Sequence, residues 1–232
     1  MARALRKERA AGKPQSRLSH AERRGQLEEA TLTCLARYGA QGAGLRQVCR
    51  DLGVAPSLVS YFFDGWEGLL LSAYRLLEKR ALDEYRQIAT MHGTARERLD
   101  CVIERNVSPA WLSDEVVGAY IALWDLSRTM PELKAEFTRF HRARRRIVSA
   151  LFSELTGTRH RRADADLLAA GFVVFLDGLW LELGLNPRNL QPRDAVRMCR
   201  IWIDANFLSS RRAARAVDLS ASLAYCTVVQ FG

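Results

Sequence analysis

Apolar residues recur at i, i+3, i+4 and i+7 in almost every window of the chain, whereas alternating β-branched runs bounded by turns do not, so the pattern predicts an all-α fold of about nine helices. The first stripe is Leu27, Ala30, Thr31, Cys34, Leu35 and Tyr38, and Gly39, Gly42 and Gly44 interrupt it. A shorter stripe, Leu45, Val48, Cys49 and Leu52, ends at Gly53, a residue that accepts the positive φ of a sharp inter-helix turn. Pro56 suits the first turn of a third helix, residues 57 to about 63, with Leu58, Val59 and Phe62 facing inward. Two short helices joined by a tight glycine turn predict a helix-turn-helix, with an ordinary helical hairpin as the alternative. A longer helix runs from Trp66 through Leu69, Leu70, Ala73, Leu76 and Leu77.

Further helices follow, with breaks expected at Pro109, Pro131, Gly157 and residues 186–192. Ser113 or Asp114 opens one through Val117, Tyr120, Leu123 and Trp124, and Thr129 is placed to cap the next, which carries Leu133, Phe137, Phe140, Ile147, Val148, Leu151, Phe152 and Leu155. Residues 167–185 approach the length of a membrane span. Asp177 and Glu182 interrupt them and Gly171, Gly178 and Gly184 dilute them, so a soluble-protein helix buried on most of its faces is expected, followed by a last helix over residues 192–208. No internal repeat is evident. The predicted organisation is a basic, flexible arm (1–19), a helix-turn-helix domain (20–65), a ligand-binding and dimerisation domain (66–208) and a tail of different composition (209–232).

Charge sharpens this picture. The 232-residue chain carries a net +9, and Arg3, Arg6, Lys7, Arg9, Lys13, Arg17, Arg23 and Arg24 stand against only Glu8 and Glu22 near the start. Such asymmetry suits a polyanionic partner, although a solvated basic tail has the same composition. Cys34, Cys49, Cys101, Cys199 and Cys226 are odd in number and lack close pair spacing, so they read as reduced core residues of a cytoplasmic protein. No signal-peptide h-region follows the basic start. His20, His92, His141 and His160 lie far apart, without nucleophile, metal-ligand or phosphate-loop spacing. An enzyme, a metal and a cofactor are therefore not expected.

The run from Leu45 to Phe63, with Gly53-Val54-Ala55-Pro56-Ser57 at its turn and Glu67-Gly68-Leu69-Leu70 after it, resembles the DNA-binding signature of TetR-family repressors. Ala122-Leu123-Trp124 and Leu176-Asp177-Gly178-Leu179-Trp180-Leu181 resemble the ligand-domain motifs of the BetI-like, choline-responsive group. The chain departs from the family at Gly44, where a capping Thr is usual, and at Trp66, where Lys is common. The resemblance implies a cytoplasmic homodimer, paired through its last two helices, that binds double-stranded operator DNA and is released by a small-molecule inducer.

Burial within the predicted third helix leaves Ala55, Pro56, Ser57, Ser60 and Tyr61 to face the major groove, while Arg46, Gln47 and Arg50 on the second helix are placed for phosphates or a base edge. Tyr120 and Trp124 share one helix face and Asp177 and Trp180 another, and Trp111 and Asp125 are further candidates. Aromatic faces beside a carboxylate are how a quaternary ammonium, which has no hydrogen to donate, is held. The same aromatics at helical spacing also serve as plain core. Competing readings are a TetR-type repressor with an apolar or anionic inducer, and a helical interaction protein whose DNA-binding head has decayed.

Overall fold

The computed structural model describes residues 19–156 and 162–208. The arm, the tail with Cys226, and the break expected at Gly157 fall outside them, Ser19 excepted. Among the described residues there are nine α-helices and no strand: α1 (His20–Gly42), α2 (Leu45–Leu52), α3 (Pro56–Phe62), α4 (Gly65–Thr90), α5 (Ala95–Asn106), α6 (Asp114–Ser127), α7 (Pro131–Thr156), α8 (Arg162–Leu185) and α9 (Pro192–Ile203), the last continuing into a π-helical turn, Asp204–Leu208.

Local chemistry sets the boundaries. Ser19 and Glu22 form a capping box at the start of α1, and Thr94 and Glu97 do the same for α5. Gly39 takes φ 67°, in the left-handed region, and ends the regular part of α1. Gly53 takes φ 64° between α2 and α3, as a helix-turn-helix requires. Ser113 caps α6 by accepting a hydrogen bond from the Val116 amide. The Thr129 hydroxyl, expected to cap α7, instead donates to the Leu126 carbonyl at the end of α6, and α7 begins at Pro131. Gly44 precedes α2 without a side-chain cap.

Three apolar clusters stack along the molecule. The head cluster joins Leu27 and Cys34 of α1 to Val48, Cys49, Val59, Phe63 and Leu69. The middle cluster joins Leu32 and Leu35 of α1 to α4, α6, α7 and Trp180 of α8. The third is built from α5, α7, α8 and α9 around Val102, Phe152, Phe172 and Cys199. Cys34, Cys49 and Cys199 are buried and unbridged, and Cys101 is half-buried. Trp66 packs against both the head and the middle cluster, so the departure from Lys at this position makes a packing joint between them.

Arg24 of α1 ties the same region together. Its guanidinium lies 4.6 Å from the Phe63 ring centroid, donates to the Phe62 carbonyl at the end of α3 and to Ser72 of α4, and pairs with Glu28.

The apolar helix α8 differs from expectation. Leu176, Leu179 and Leu183 are buried, but Leu167, Gly171, Val174 and Gly178 form an open stripe, with Leu167 74% and Val174 71% exposed. The helix is thus buried on one face only within a single chain. Residues 165–185 are also long and apolar enough to cross a membrane, a test that the core helix of a soluble protein passes equally. Here α8 packs chiefly on α7 and closes the third cluster.

Candidate ligand cavity and DNA-reading face

On the head, Arg46, Arg50, Ala55, Pro56, Ser57, Ser60 and Tyr61 are all exposed, while Val59 is buried and Leu58 and Phe62 are half-buried. Of these, Ala55, Ser57 and Tyr61 border one concavity beside the turn. Gln47 differs: it is half-buried, and its side chain donates to Asp51 and the Tyr38 hydroxyl and accepts from Arg50. That network holds Gln47 and presents Arg50 beside it. Tyr61 is 72% exposed, its ring edge against Phe62 and His20. Arg23 of α1, counted in the sequence only within the basic run near the start, joins Gly53, Ala55, Ser57 and Tyr61 around that concavity. Its signal was its place, one helical turn inside the capped start of α1.

In the middle cluster, Trp111, Tyr120, Trp124, Asp177 and Trp180 line a single cavity. The rings of Tyr120, Trp124 and Trp180 meet pairwise, with centroids 5.5 to 5.9 Å apart, and Trp180 stands edge-on to the other two. The Trp180 indole N–H donates to the Trp111 carbonyl at 2.8 Å, fixing its plane. Trp111 is buried with the Arg105 guanidinium 3.4 Å above its ring and its own N–H on Glu84, so one of its faces is already occupied. Asp125 is not on the cavity wall. It follows Trp124, about 100° further round the helix, and its exposed carboxylate faces Arg128.

Five polar or charged wall residues were not foreseen: Glu78 of α4, Arg105 and Asn106 of α5, and His141 and Arg144 of α7. Arg144 is buried and binds Asp177 at 2.5 Å, and His141 Nδ1 lies 3.9 Å from the same carboxylate. Burial holds the His141 imidazole down to about 4, aided by the Arg144 charge. Burial works against the Arg144 charge too, but Tyr85, Asp177 and Glu78 keep its pKa above the ordinary arginine value. Glu78 is 6% exposed, and burial pushes its carboxyl up to about 8. Its Oε2, the Arg105 Nη2, the Trp124 Nε1 and the Arg144 Nε make no hydrogen bond, so the wall offers one carboxyl oxygen and three donors. The space is small, about 30 Å³ open to the centre of a water molecule. That is room for two or three waters at the ~10–15 Å³ each needs.

Residues 95–208, which hold all of this cavity except the α4 wall, match the model of the BetI-type transcriptional repressor C-terminal domain. The transcriptional regulator BetI of Escherichia coli O17:K52:H18 is 30% identical over 186 residues, covering 78% of this chain and 92% of its own. The chain belongs to the BetI-like group of TetR-family transcriptional regulators. Among solved structures, a transcriptional regulator from Pseudomonas aeruginosa PAO1 superposes with a TM-score of 0.77 at 33% identity, covering 86% of this chain and 97% of that one. A regulator from Saccharomonospora viridis, solved in complex with choline, shares the fold with a TM-score of 0.70 at 22% identity, covering 80% and 97%. Membership in a family of regulators agrees with the absence of catalytic spacing in the sequence.

Proposed function

We propose that this BetI-like regulator is a dimeric repressor whose operator is released when a compact cation of the choline class enters the cavity of the middle cluster. The observation that carries the reading is the trio Tyr120, Trp124 and Trp180, three mutually packed rings beside Asp177. Aromatic faces attract a cation by about 0.5 to 2 kcal/mol each, most when water is excluded. The choline complex of the Saccharomonospora viridis regulator adds support from a protein of the same fold.

In this reading the domain at 20–65 grips DNA through Arg46, Arg50, Ala55, Pro56, Ser57, Ser60 and Tyr61, with Gln47 orienting Arg50 and with Arg23 at the rim of the turn. The domain at 66–208 holds the ligand and the dimer contact. The open stripe of α8 is the surface for the second copy, since an exposed apolar helix face interrupted by glycines favours close helix–helix approach. Two-fold pairing would then set two α3 helices at the spacing of successive major grooves.

Release requires the ligand to bind better to a form whose heads are wrongly spaced for DNA. A coupling of about 1 to 3 kcal/mol gives roughly 5- to 150-fold weaker operator binding. Two elements reach from the cavity to the head: α4, which begins directly after α3 and contacts it, and α6, which packs on α1.

The test is fluorescence anisotropy with DNA from upstream of the protein's own gene and a scrambled control, at fixed salt, with and without millimolar choline. Selective binding that choline reduces is the expected result. Selective binding indifferent to choline would remove the cation, and equal weak binding to both DNAs on every candidate operator would remove the repressor.

A further inference from the structure

Building on the cation reading, we propose that Glu78 is the specificity-determining contact for the ligand's positive charge, and that cation binding drives its proton into solvent. The wall of the cavity carries two acids, Asp177 and Glu78. Asp177 is already engaged, 2.5 Å from Arg144 Nη2. Arg105, the other cation on the wall, is held by Glu84 at 2.7 Å. The two cations and the two carboxylates that hold them balance one another before any ligand enters. A bound cation would leave a net positive charge away from water, a costly arrangement unless another acid ionises beside it.

Glu78 is the acid that remains. It is 94% covered, its Oε2 makes no well-aligned hydrogen bond although the Tyr74 hydroxyl stands near enough to favour the charged form, and it lines the same cavity as the aromatic trio. The groups that bear on it are Tyr74 on its own helix, Arg105 of α5, Tyr120 of α6, Arg144 of α7 and Asp177 of α8. His141, also on the wall, stays neutral above about pH 5. In the empty cavity burial keeps the Glu78 carboxyl protonated at neutral pH. When the cation arrives, Glu78–COOH becomes Glu78–COO⁻ and one proton leaves for water. No bond to the ligand forms and none in it breaks. A neutral isostere of the cation has no means of driving that ionisation.

Glu78 sits on α4, which begins at Gly65 directly after α3 and contacts it. The new attraction between carboxylate and ligand therefore acts directly on an element that positions the head.

The experiment is titration calorimetry of choline chloride into the full chain between pH 6 and 9, in buffers of differing ionisation enthalpy, with 3,3-dimethyl-1-butanol as the uncharged isostere. Near one proton released per choline at pH 6.5, little at pH 9, and affinity rising about tenfold per pH unit until it levels near pH 8 are expected. The isostere should release none. Glu78→Gln should bind choline weakly and independently of pH, with preference over the isostere largely gone. Choline binding without proton release, or choline preference intact in E78Q, overturns the assignment of Glu78 and leaves the cation reading standing. No choline binding by the unsubstituted chain at any pH overturns both. The proton count needs no variant, so a poorly folded E78Q does not remove the test.

Discussion

Gly118 of α6 lies against the backbone of Ala36 of α1: a Cβ placed on Gly118 would stand 3.0 Å from both the Ala36 Cα and its carbonyl oxygen. One residue earlier, Val117 presses on Gly184 of α8, where an added Cβ would meet it at 2.8 Å. The helix that carries Tyr120 and Trp124 is thus fitted closely to α1 on one side and to α8 on the other. Gly118→Ala should force α1 and α6 apart by a few tenths of an ångström. Overpacking of this kind costs about 1 to 3 kcal/mol, which lowers Tm by roughly 2–4 °C per kcal/mol in a chain of this size. Choline should still bind, but its effect on operator affinity should shrink, because the variant disturbs the joint and spares the cavity. Thermal melts paired with anisotropy separate the two effects. An unchanged melt would show that the joint has slack.

Trp124 offers a substitution in which folding and binding move separately. Its indole Nε1 is buried without a hydrogen-bond partner, so Trp124→Phe removes an unsatisfied donor while retaining a ring. Stability should hold or rise slightly. Cation affinity should fall roughly 2- to 30-fold, in line with the loss of about 0.5 to 2 kcal/mol of ring–cation attraction. Intrinsic fluorescence titration with choline, alongside a melt, checks both.

The cavity also shows what the sequence made legible. Tyr120 and Trp124, and Asp177 and Trp180, were identifiable because helical spacing puts each pair on one face. That α6 and α8 turn those faces toward each other depends on contacts far apart in the chain. Glu78 and Arg144 did leave a trace: Glu78 falls between buried Tyr74 and Ala81 on the apolar stripe of α4, and Arg144 between Phe140 and Val148 on that of α7. A charge at an inward register position is the signal of a buried polar site. Asp125 was misplaced for the complementary reason, since a neighbour in sequence leaves the shared helix face. On α8, composition marked an apolar helix, but it does not distinguish a face covered by the same chain from one awaiting a second copy.

The reading face predicts a division of labour. Tyr61→Ala and Arg46→Ala alter exposed positions, so each should change stability by no more than about 0.5 kcal/mol. Loss of Tyr61 from α3 should weaken the operator about tenfold and relax selectivity over scrambled DNA, as expected when a base-edge contact is lost. Arg46→Ala should weaken both DNAs alike and lower the salt slope by about one, the mark of a phosphate contact. Anisotropy across a salt series distinguishes these outcomes.

Val174 tests the pairing surface. At 71% exposure it contributes little to the fold of a single chain, so Val174→Arg should melt like the unsubstituted protein at low concentration. If the α8 stripe meets its counterpart, the new like charges would face each other across the two-fold axis in an apolar contact. Sedimentation should then report a monomer with operator affinity largely lost. A dimer that survives the substitution would move the interface elsewhere.

The ionisation of Glu78 should also be visible without any ligand. Its folded pKa of about 8 lies above the ordinary glutamate value of 4.5, so the folded chain holds a proton that the unfolded chain releases in between. That contribution is fully present below pH 4.5 and is lost as pH rises through 8. His141 acts in the opposite sense over a different range: its folded value of about 4 lies below the ordinary 6.5, so its contribution is complete above pH 6.5 and falls away under acid. Between pH 6.5 and 8.5 the trend in Tm should therefore reflect Glu78. The unsubstituted protein should lose several degrees across that interval, while Glu78→Gln, with no proton to lose, should stay nearly level and melt higher at pH 8.5. Parallel melting curves for the two proteins would mean that the Glu78 carboxyl is already ionised in the empty cavity.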